Sequence, residues 1–145
     1  MAVTINMYHQ LTELLGDATI DLDGHTFKVA LMNATHTFVP TNTVWADVSA
    51  NEVANGFGYT TGGATLASVT WSQTTGTATF DFTDPEWTAS GGSIGPTAHA
   101  VFYDDTVAGG PLMFSVDFGQ TITAVDGVRI VIQLAATGLF QNVPV

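Results

Sequence analysis

Short runs of strand-favouring residues, separated by turns rich in glycine, fill the chain from Gly16 to its end. In residues 77–82 the apolar Ala78, Phe80 and Phe82 alternate with polar residues, and this period of two is typical of a half-buried strand. Asp23-Gly24 and Asp126-Gly127 have the composition of tight turns. The predicted strands are residues 18–22, 26–31, 64–71, 77–82, 86–89, 98–103, 112–118 and 128–134, and residues 138–140 are expected to end the last strand.

Strands do not alternate with helical segments in this sequence, which argues against a parallel α/β sheet. Many short strands with turns between them instead indicate an all-β protein, an antiparallel β-sandwich of jelly-roll type. Asp23-Gly24 predicts a hairpin between residues 18–22 and 26–31. Residues 33–43 are expected to form a loop. The expected core comprises Phe27, Val29, Leu31, Leu66, Phe80, Phe82, Val101, Phe114, Val116, Ile130 and Ile132.

One segment, residues 5–15, has the spacing of an amphipathic helix. Its apolar positions are Met7, Tyr8, Leu11, Leu14 and Leu15. Thr4 or Asn6 is a candidate N-cap and Gly16 a candidate residue just after the helix. So short a helix is unstable alone, and we expect it to dock on the sheet or to contact a neighbouring subunit.

The length of 145 residues fits one domain, so we expect a single β-sandwich domain over residues 1–145 with a helical segment at 1–16. The start of the chain lacks the basic and apolar regions of a leader peptide, and no apolar run is long enough to span a membrane. The chain has no cysteine, so no thiolate can serve as nucleophile or metal ligand.

The charge composition excludes several classes of partner. Only Lys28 and Arg129 are basic, and the net charge is −11. Two cations cannot neutralise a row of phosphates, so neither nucleic acid nor an anionic membrane is an expected partner. Charged residues make up 10% of the chain, against about 25% in an average soluble domain. The surface must therefore be largely uncharged and polar, which costs less to desolvate in a contact with another protein.

Candidate catalytic residues are few. Asp81, Asp84 and Glu86 lie close together beside Trp87, an arrangement that glycoside hydrolysis could use. Asp84 precedes a proline, however, and ordinary turn chemistry explains the cluster better. We therefore expect no catalytic residue and no enzymatic activity.

Candidate metal, cofactor and glycan sites are equally weak. The histidines His9, His25, His36 and His99 lack metal-ligand spacing and are expected to lie at the surface or in ordinary hydrogen bonds. Asp21-Leu22-Asp23-Gly24 lacks the register and closing glutamate of a calcium loop, and Asp104-Asp105 is expected to form a turn. Calcium held between subunits remains an alternative to the prediction of no metal and no cofactor.

Glycine-rich segments, a glycosylation sequon and the tryptophans offer three further possibilities. Gly56-Phe57-Gly58 and Gly62-Gly63 are expected to be turns rather than phosphate-binding loops, because neither a helix nor a lysine follows. Asn33-Ala34-Thr35 matches a glycosylation sequon, a pattern common by chance. Three tryptophans could form a sugar-binding platform, although Trp71 alternates with Val69 and is expected in the core. The tryptophans are Trp45, Trp71 and Trp87.

Several segments, in order and spacing, resemble a group of small virion proteins of tailed phages. They are Ala18-Thr19-Ile20-Asp21-Leu22-Asp23, Lys28-Val29-Ala30-Leu31, Asn51-Glu52-Val53, Gly58-Tyr59-Thr60-Thr61-Gly62-Gly63-Ala64-Thr65-Leu66-Ala67, residues 82–89, Ala100-Val101-Phe102-Tyr103-Asp104-Asp105-Thr106, Pro111-Leu112 and Val116-Asp117-Phe118-Gly119. The resemblance covers most of the chain. It implies a non-catalytic particle component, with head decoration favoured over the tail, and it brings no catalytic residue. The scarcity of Lys and Arg departs from the family's usual composition.

The expected function is thus a capsid decoration, or cement, protein on the outer surface of a phage head, bound to the major capsid protein or another virion protein. An outward position avoids the conflict between the acidic chain and packaged DNA. A tail or adsorption-apparatus component and a carbohydrate-binding module are the alternatives. We expect a homo-oligomer, a trimer or otherwise a dimer, with the helical segment and loop 33–43 as contact elements.

Overall fold

The computed structural model describes residues 2–144, and the chain is mostly β, with 42% strand and 8% helix. One α-helix, α1 (Leu11–Gly16), and two 3-10 helices, Trp45–Asp47 and Ser49–Asn51, accompany the strands. The strands are β1 (Thr4–Met7), β2 (Phe27–Met32), β3 (Ala64–Thr65), β4 (Thr70–Thr74), β5 (Thr77–Asp81), β6 (Glu86–Thr88), β7 (Ile94–Asp104), β8 (Leu112–Ala124), β9 (Arg129–Val131) and β10 (Phe140–Asn142). The predicted all-β, antiparallel class is confirmed.

The strands form one large and two small antiparallel sheets. The five-stranded sheet has the order β1-β8-β7-β2-β3, with the long strands β7 and β8 at its centre and β1 and β3 at its edges. The three-stranded sheet has the order β10-β5-β4, and β6 pairs with β9. No helix in residues 2–144 is long and apolar enough to cross a membrane.

The first face of the five-stranded sheet packs on the smaller sheets through aromatic rings. Phe27 meets Phe80 with ring centroids 5.4 Å apart, and Phe82 meets Phe102 at 5.6 Å. Burial of these rings removes a large apolar area from water and packs this face against the smaller sheets. The predicted core residues are all buried except Ile132, which is partly buried.

The second face of the same sheet is covered by an irregular segment, residues 36–48. Ala30 and Met32 on this face are as fully buried as Val29 and Leu31 on the first face. Burial on both faces explains why β2 is a nearly continuous apolar run rather than an alternating one. Loop 33–43 is confirmed as a loop, and it covers part of the core; its role as a contact element stays a prediction.

The N-terminal helix predicted over residues 5–15 is wrong in its first half. Thr4–Met7 forms β1, which pairs with β8, and α1 begins only at Leu11. Gln10 occupies the N-cap position without a side-chain cap, and Gly16 lies inside the helix instead of after it. Apolar and polar residues alternate in the segment Val3-Thr4-Ile5-Asn6-Met7, so it fits a strand as well as a helix. Pairing with the long β8 favours the strand.

The predicted hairpin at Asp23-Gly24 is also wrong. Residues 18–22 form turns and bends instead of a strand, and at Asp23-Gly24 the Asp21 side chain accepts hydrogen bonds from the backbone N–H groups of Asp23 (3.0 Å) and Gly24 (3.1 Å). Aspartate competes with a strand ladder for the local backbone in this way. Ile20 and Leu22 are nevertheless buried, so the apolar residues of this segment serve the core from a turn.

Several further strand boundaries differ from the prediction, and β7 begins at Ile94 instead of Ala98. Residues 64–71 are interrupted at Ser68, whose φ of 53° lies in the left-handed region, so β3 and β4 are separate strands. Strand β8 extends beyond residues 112–118, and β9 is shorter than residues 128–134. Thr75 and Gly76 form the tight turn between β4 and β5, and Asp126-Gly127 is the predicted turn, which links β8 to β9 in a different sheet.

Candidate interaction surface

The carboxylates beside Trp87 each serve the local backbone or a neighbouring strand. Asp81 accepts a hydrogen bond from the backbone N–H of Phe82 at 2.9 Å. Asp84 accepts one from the N–H of Leu134 at 2.9 Å, which ties the irregular segment before β6 to the segment after β9. Glu86 forms an ion pair with Arg129 at 2.9 Å across the β6–β9 pair. Each of the three carboxylates thus has a partner within the chain, and the absence of a catalytic role stays a prediction.

Asp104 has a partner that the sequence did not indicate. Its fully buried carboxylate lies 2.6 Å from His25 Nδ1 and also accepts hydrogen bonds from the N–H groups of Thr106 and Val107. The predicted turn at Asp104-Asp105 is thus present. His25 precedes β2 and Asp104 ends β7, so only the pairing of these strands brings the two side chains together.

A second network, missed by the sequence analysis, joins β2 to the glycine-rich segment. The Tyr59 hydroxyl donates to Glu52 Oε1 at 2.7 Å and accepts the N–H of Leu31 at 3.0 Å. Glu52 also accepts the N–H of Gly62 at 2.6 Å, and the Tyr103 hydroxyl donates to the Gly62 carbonyl at 2.6 Å. Burial, and then the nearby Glu52 carboxylate, raise the pKa of Tyr59. Gly62-Gly63 therefore lies in a turn fixed against the sheet.

The histidines divide between the surface and the interior. His9 is exposed, whereas His36 is buried on the second face with its Nε2 atom 3.2 Å from Ser115 Oγ. Burial, assisted by the neighbouring His99 ring, lowers the pKa of His36 to about 4. Tyr8 lies fully buried in the same layer, and burial raises its pKa to about 12. Neither the Tyr8 hydroxyl nor His36 Nδ1 has a hydrogen-bond partner among the described residues.

The residues considered in the sequence as candidates for metal, glycan or phosphate binding do not come together in one site. In residues 2–144, no three His, Asp or Glu side chains are grouped so as to hold a metal ion. Asn33 accepts the N–H of Thr35 at 2.9 Å in a local turn. Gly56-Phe57-Gly58 is a turn closed by hydrogen bonds between Gly56 and Tyr59, as predicted. Calcium between subunits stays a prediction.

The tryptophans do not form a row. Trp87 is buried in the main core, Trp45 stacks on Tyr103 over the second face, and Trp71 is partly buried at the opposite side of the molecule. A platform of all three is therefore wrong. Trp71 stacks on Phe140 at 5.9 Å, and the two rings line a cavity of about 570 Å³ beside Met7 and α1.

The edge strand β1 presents the most distinctive surface of the molecule. Val3, Ile5 and Met7 are 62%, 50% and 41% exposed, and we name these three side chains the β1 edge strip. They point to the same side as Val116 and Phe114 of the core, but the smaller sheets do not cover them. A second cavity, of about 210 Å³, opens beside Val3 between β8 and β9.

Natural edge strands are commonly protected by charges, proline or a bulge, since an open edge invites pairing with another chain. The β1 edge strip has none of these protections: residues 1–12 contain no Asp, Glu, Lys, Arg or Pro. The sequence carried a signal for this surface in the alternation Val3-Thr4-Ile5-Asn6-Met7, which the helical interpretation obscured.

No family model, curated protein or solved structure matches the chain.

Proposed function

We propose that this chain is a non-enzymatic structural protein of a tailed-phage virion, a capsid decoration protein that binds the outer surface of the head. The observation that carries an assembly role is the β1 edge strip, an open and uncharged sheet edge with exposed apolar side chains. The resemblance of the sequence to small virion proteins is the reason for proposing that the assembly is a phage particle. The partner on the head is the major capsid protein or another virion protein.

The finer architecture belongs to the same proposal. The five-stranded sheet and the smaller sheets form the two layers of a jelly-roll-like sandwich, with aromatic rings such as Phe27 and Phe80 between them. The carboxylates and histidines described above, apart from the exposed His9, have partners within the chain, and the two cations, Lys28 and Arg129, form ion pairs with Asp105 and Glu86. Contacts with other proteins therefore rely on uncharged surface, which is cheap to desolvate.

The charge of −11 supports an outward position on the particle, since an inward surface would face the phosphates of packaged DNA. The test is electron microscopy of particles that carry this protein, together with its copy number. A decoration protein covers the head lattice at close to capsid stoichiometry. A few copies at the tail would instead establish the alternative, a tail or adsorption-apparatus component, and complete absence from particles would contradict both.

The cavity lined by Trp71 and Phe140 favours a second candidate, a carbohydrate-binding module. Its volume of about 570 Å³ is in the range of small-molecule sites, and Asn142 and Thr12 add polar groups beside the aromatic rings. A sugar that stacks on Trp71 would change its fluorescence. The measurement is a glycan titration of the wild-type chain and of Trp71→Ala. Loss of binding in the variant supports this candidate, and no response to any glycan in the wild-type chain eliminates it.

A further inference from the structure

The backbone of β1 has unused hydrogen-bonding groups on its open side. The N–H of Tyr8 donates to the carbonyl of Met113 at 3.1 Å, and the β1–β8 register places these two residues opposite each other. Opposite residues in an antiparallel pair alternate between hydrogen-bonded and non-hydrogen-bonded positions. Even-numbered residues of β1 therefore direct their backbone groups toward β8, and odd-numbered residues direct theirs away from it.

The residue after Tyr8 supports this alternation. The N–H of His9 donates to the carbonyl of Pro40 at 3.0 Å, so an odd-numbered residue finds its partner away from β8. Among the described residues, no such partner exists for the backbone N–H and C=O groups of Val3, Ile5 and Met7. The β1 edge strip thus combines three exposed apolar side chains with three open backbone positions.

We propose that two copies of this chain pair through their β1 strands, antiparallel and related by a twofold axis at Ile5. Ile5 then lies opposite Ile5 of the second copy, and Val3 lies opposite Met7 of the second copy. Each of these pairs can exchange two backbone hydrogen bonds. The two five-stranded sheets become one continuous sheet, and the contact is the same surface on both copies.

The composition of the edge fits a second copy. The segment Val3-Thr4-Ile5-Asn6-Met7 has the same apolar and polar order in both directions about Ile5, so it complements itself. An acidic chain normally repels its own copy, but no charged residue lies within residues 1–12. The opposite edge, β3, has only two residues and cannot form an equivalent pair.

The two cavities beside β1 add apolar contact to the strand pairing. Val3 lines the cavity of about 210 Å³, and Met7 lines the cavity of about 570 Å³. In the antiparallel pair, Met7 of the second copy lies beside Val3, and Val3 of the second copy lies beside Met7. Each cavity mouth therefore receives an additional apolar side chain. Because a short strand contact is smaller than a standard interface, we expect a dissociation constant on the order of micromolar.

This dimer rests on the proposed function in one respect: both require that the chain binds other protein chains through the β1 edge strip. The first test introduces single cysteines. Because the chain has no cysteine of its own, no other disulfide can form. Opposite hydrogen-bonded residues have Cα atoms about 5.5 Å apart, within the range that a disulfide bridges. Ile5→Cys should therefore form a covalent dimer under mild oxidation. Val3→Cys should not, because two copies of Val3 are separated by more than about 13 Å, but a mixture of Val3→Cys and Met7→Cys should form a mixed dimer.

The second test measures mass by analytical ultracentrifugation over micromolar to millimolar concentrations. Ile5→Lys, which opposes two cations at the twofold axis, should weaken the dimer at least tenfold. Ile5→Pro should do the same, because it removes an outward N–H that β8 does not use. Val125→Lys is the matched control: it adds the same charge at a site of similar exposure, 57%, just after the distant end of β8, and should leave the dimer unchanged.

Added salt should strengthen the dimer, since it screens the repulsion between two copies that each carry a net charge of −11. A monomer at all concentrations, a trimer, or equally efficient cross-linking of Val3→Cys and Ile5→Cys would overturn the proposal. So would a dimer that Ile5→Lys leaves intact. These measurements use the isolated protein, whereas virion location is tested on particles, so either proposal can fail without the other.

Discussion

The two faces of the five-stranded sheet are equally buried but are closed by different means. The first face meets regular strands, and its contacts are almost entirely apolar, with Phe80 wholly inaccessible to solvent. The second face meets an irregular segment and includes buried polar groups such as His36 and Ser115. The fraction of buried residues therefore does not by itself show how each face contributes to the unfolding free energy. Apolar packing is insensitive to pH, whereas buried polar groups depend on specific partners and on protonation.

The largest effect should come from the first face. Phe80→Ala removes a ring that packs on Phe27 and Phe82, and we expect it to cost about 3–5 kcal/mol of unfolding free energy. Phe57→Ala is the matched control, since Phe57 is 54% exposed, and it should cost less than about 1 kcal/mol. The measurement is denaturant unfolding of both variants. Equal losses would show that the Phe80 ring does not pack in the core as described.

The second face should lose stability in acid. The pKa of His36 is about 4 in the folded chain, against an ordinary value of 6.5, so the unfolded chain binds more protons between these values. Stability is therefore full above about pH 6.5 and falls as the pH drops toward 4, by at most about 3 kcal/mol.

His36→Gln keeps a polar side chain near Ser115 without a titrating ring. Its unfolding free energy should vary less between pH 6.5 and pH 4 than that of the wild-type chain, as measured by urea titrations at several pH values. Identical pH profiles for the two proteins would show that other groups, rather than this buried histidine, govern the acid sensitivity.

The network between β2 and the glycine-rich segment should show an intermediate effect. Tyr59→Phe leaves the N–H of Leu31 without its partner and removes one of the two hydrogen bonds that Glu52 Oε1 accepts, and should cost about 1–3 kcal/mol. Tyr103→Phe removes a single hydrogen bond to the Gly62 carbonyl and should cost about 1 kcal/mol. Thermal and denaturant unfolding compare the pair, and a larger loss in Tyr103→Phe would contradict the hierarchy.

The smallest effect should come from Tyr8→Phe. The Tyr8 hydroxyl is buried without a hydrogen-bond partner among the described residues, so its removal gives up no bond. The ring contact with Phe38, at a centroid distance of 5.0 Å, is retained. We expect a change between zero and a gain of about 1 kcal/mol in unfolding free energy. A loss greater than that of Tyr103→Phe would show that the hydroxyl is satisfied and supports the second face.

The prediction of strands from sequence succeeded where the pattern was local and failed where two patterns overlapped. Residues 77–82 alternate strictly, and β5 lies there with Phe80 facing the core. The segment that contains β1 has both strand and helix spacing, and no local signal separates them. The candidate surface depended on that segment, so the β1 edge strip could not be identified until its pairing with β8 was known.

The sequence by itself determined the all-β class, most of the core and the local turns, because alternation and turn composition act over a few neighbouring residues. It also determined the absence of thiol chemistry and the acidic character of the chain. Tertiary structure decided the partners of distant side chains, such as His25 with Asp104, and the burial of both faces of β2. It also left β1 at an edge, because which strand lies outermost depends on the order of all the strands in the sheet.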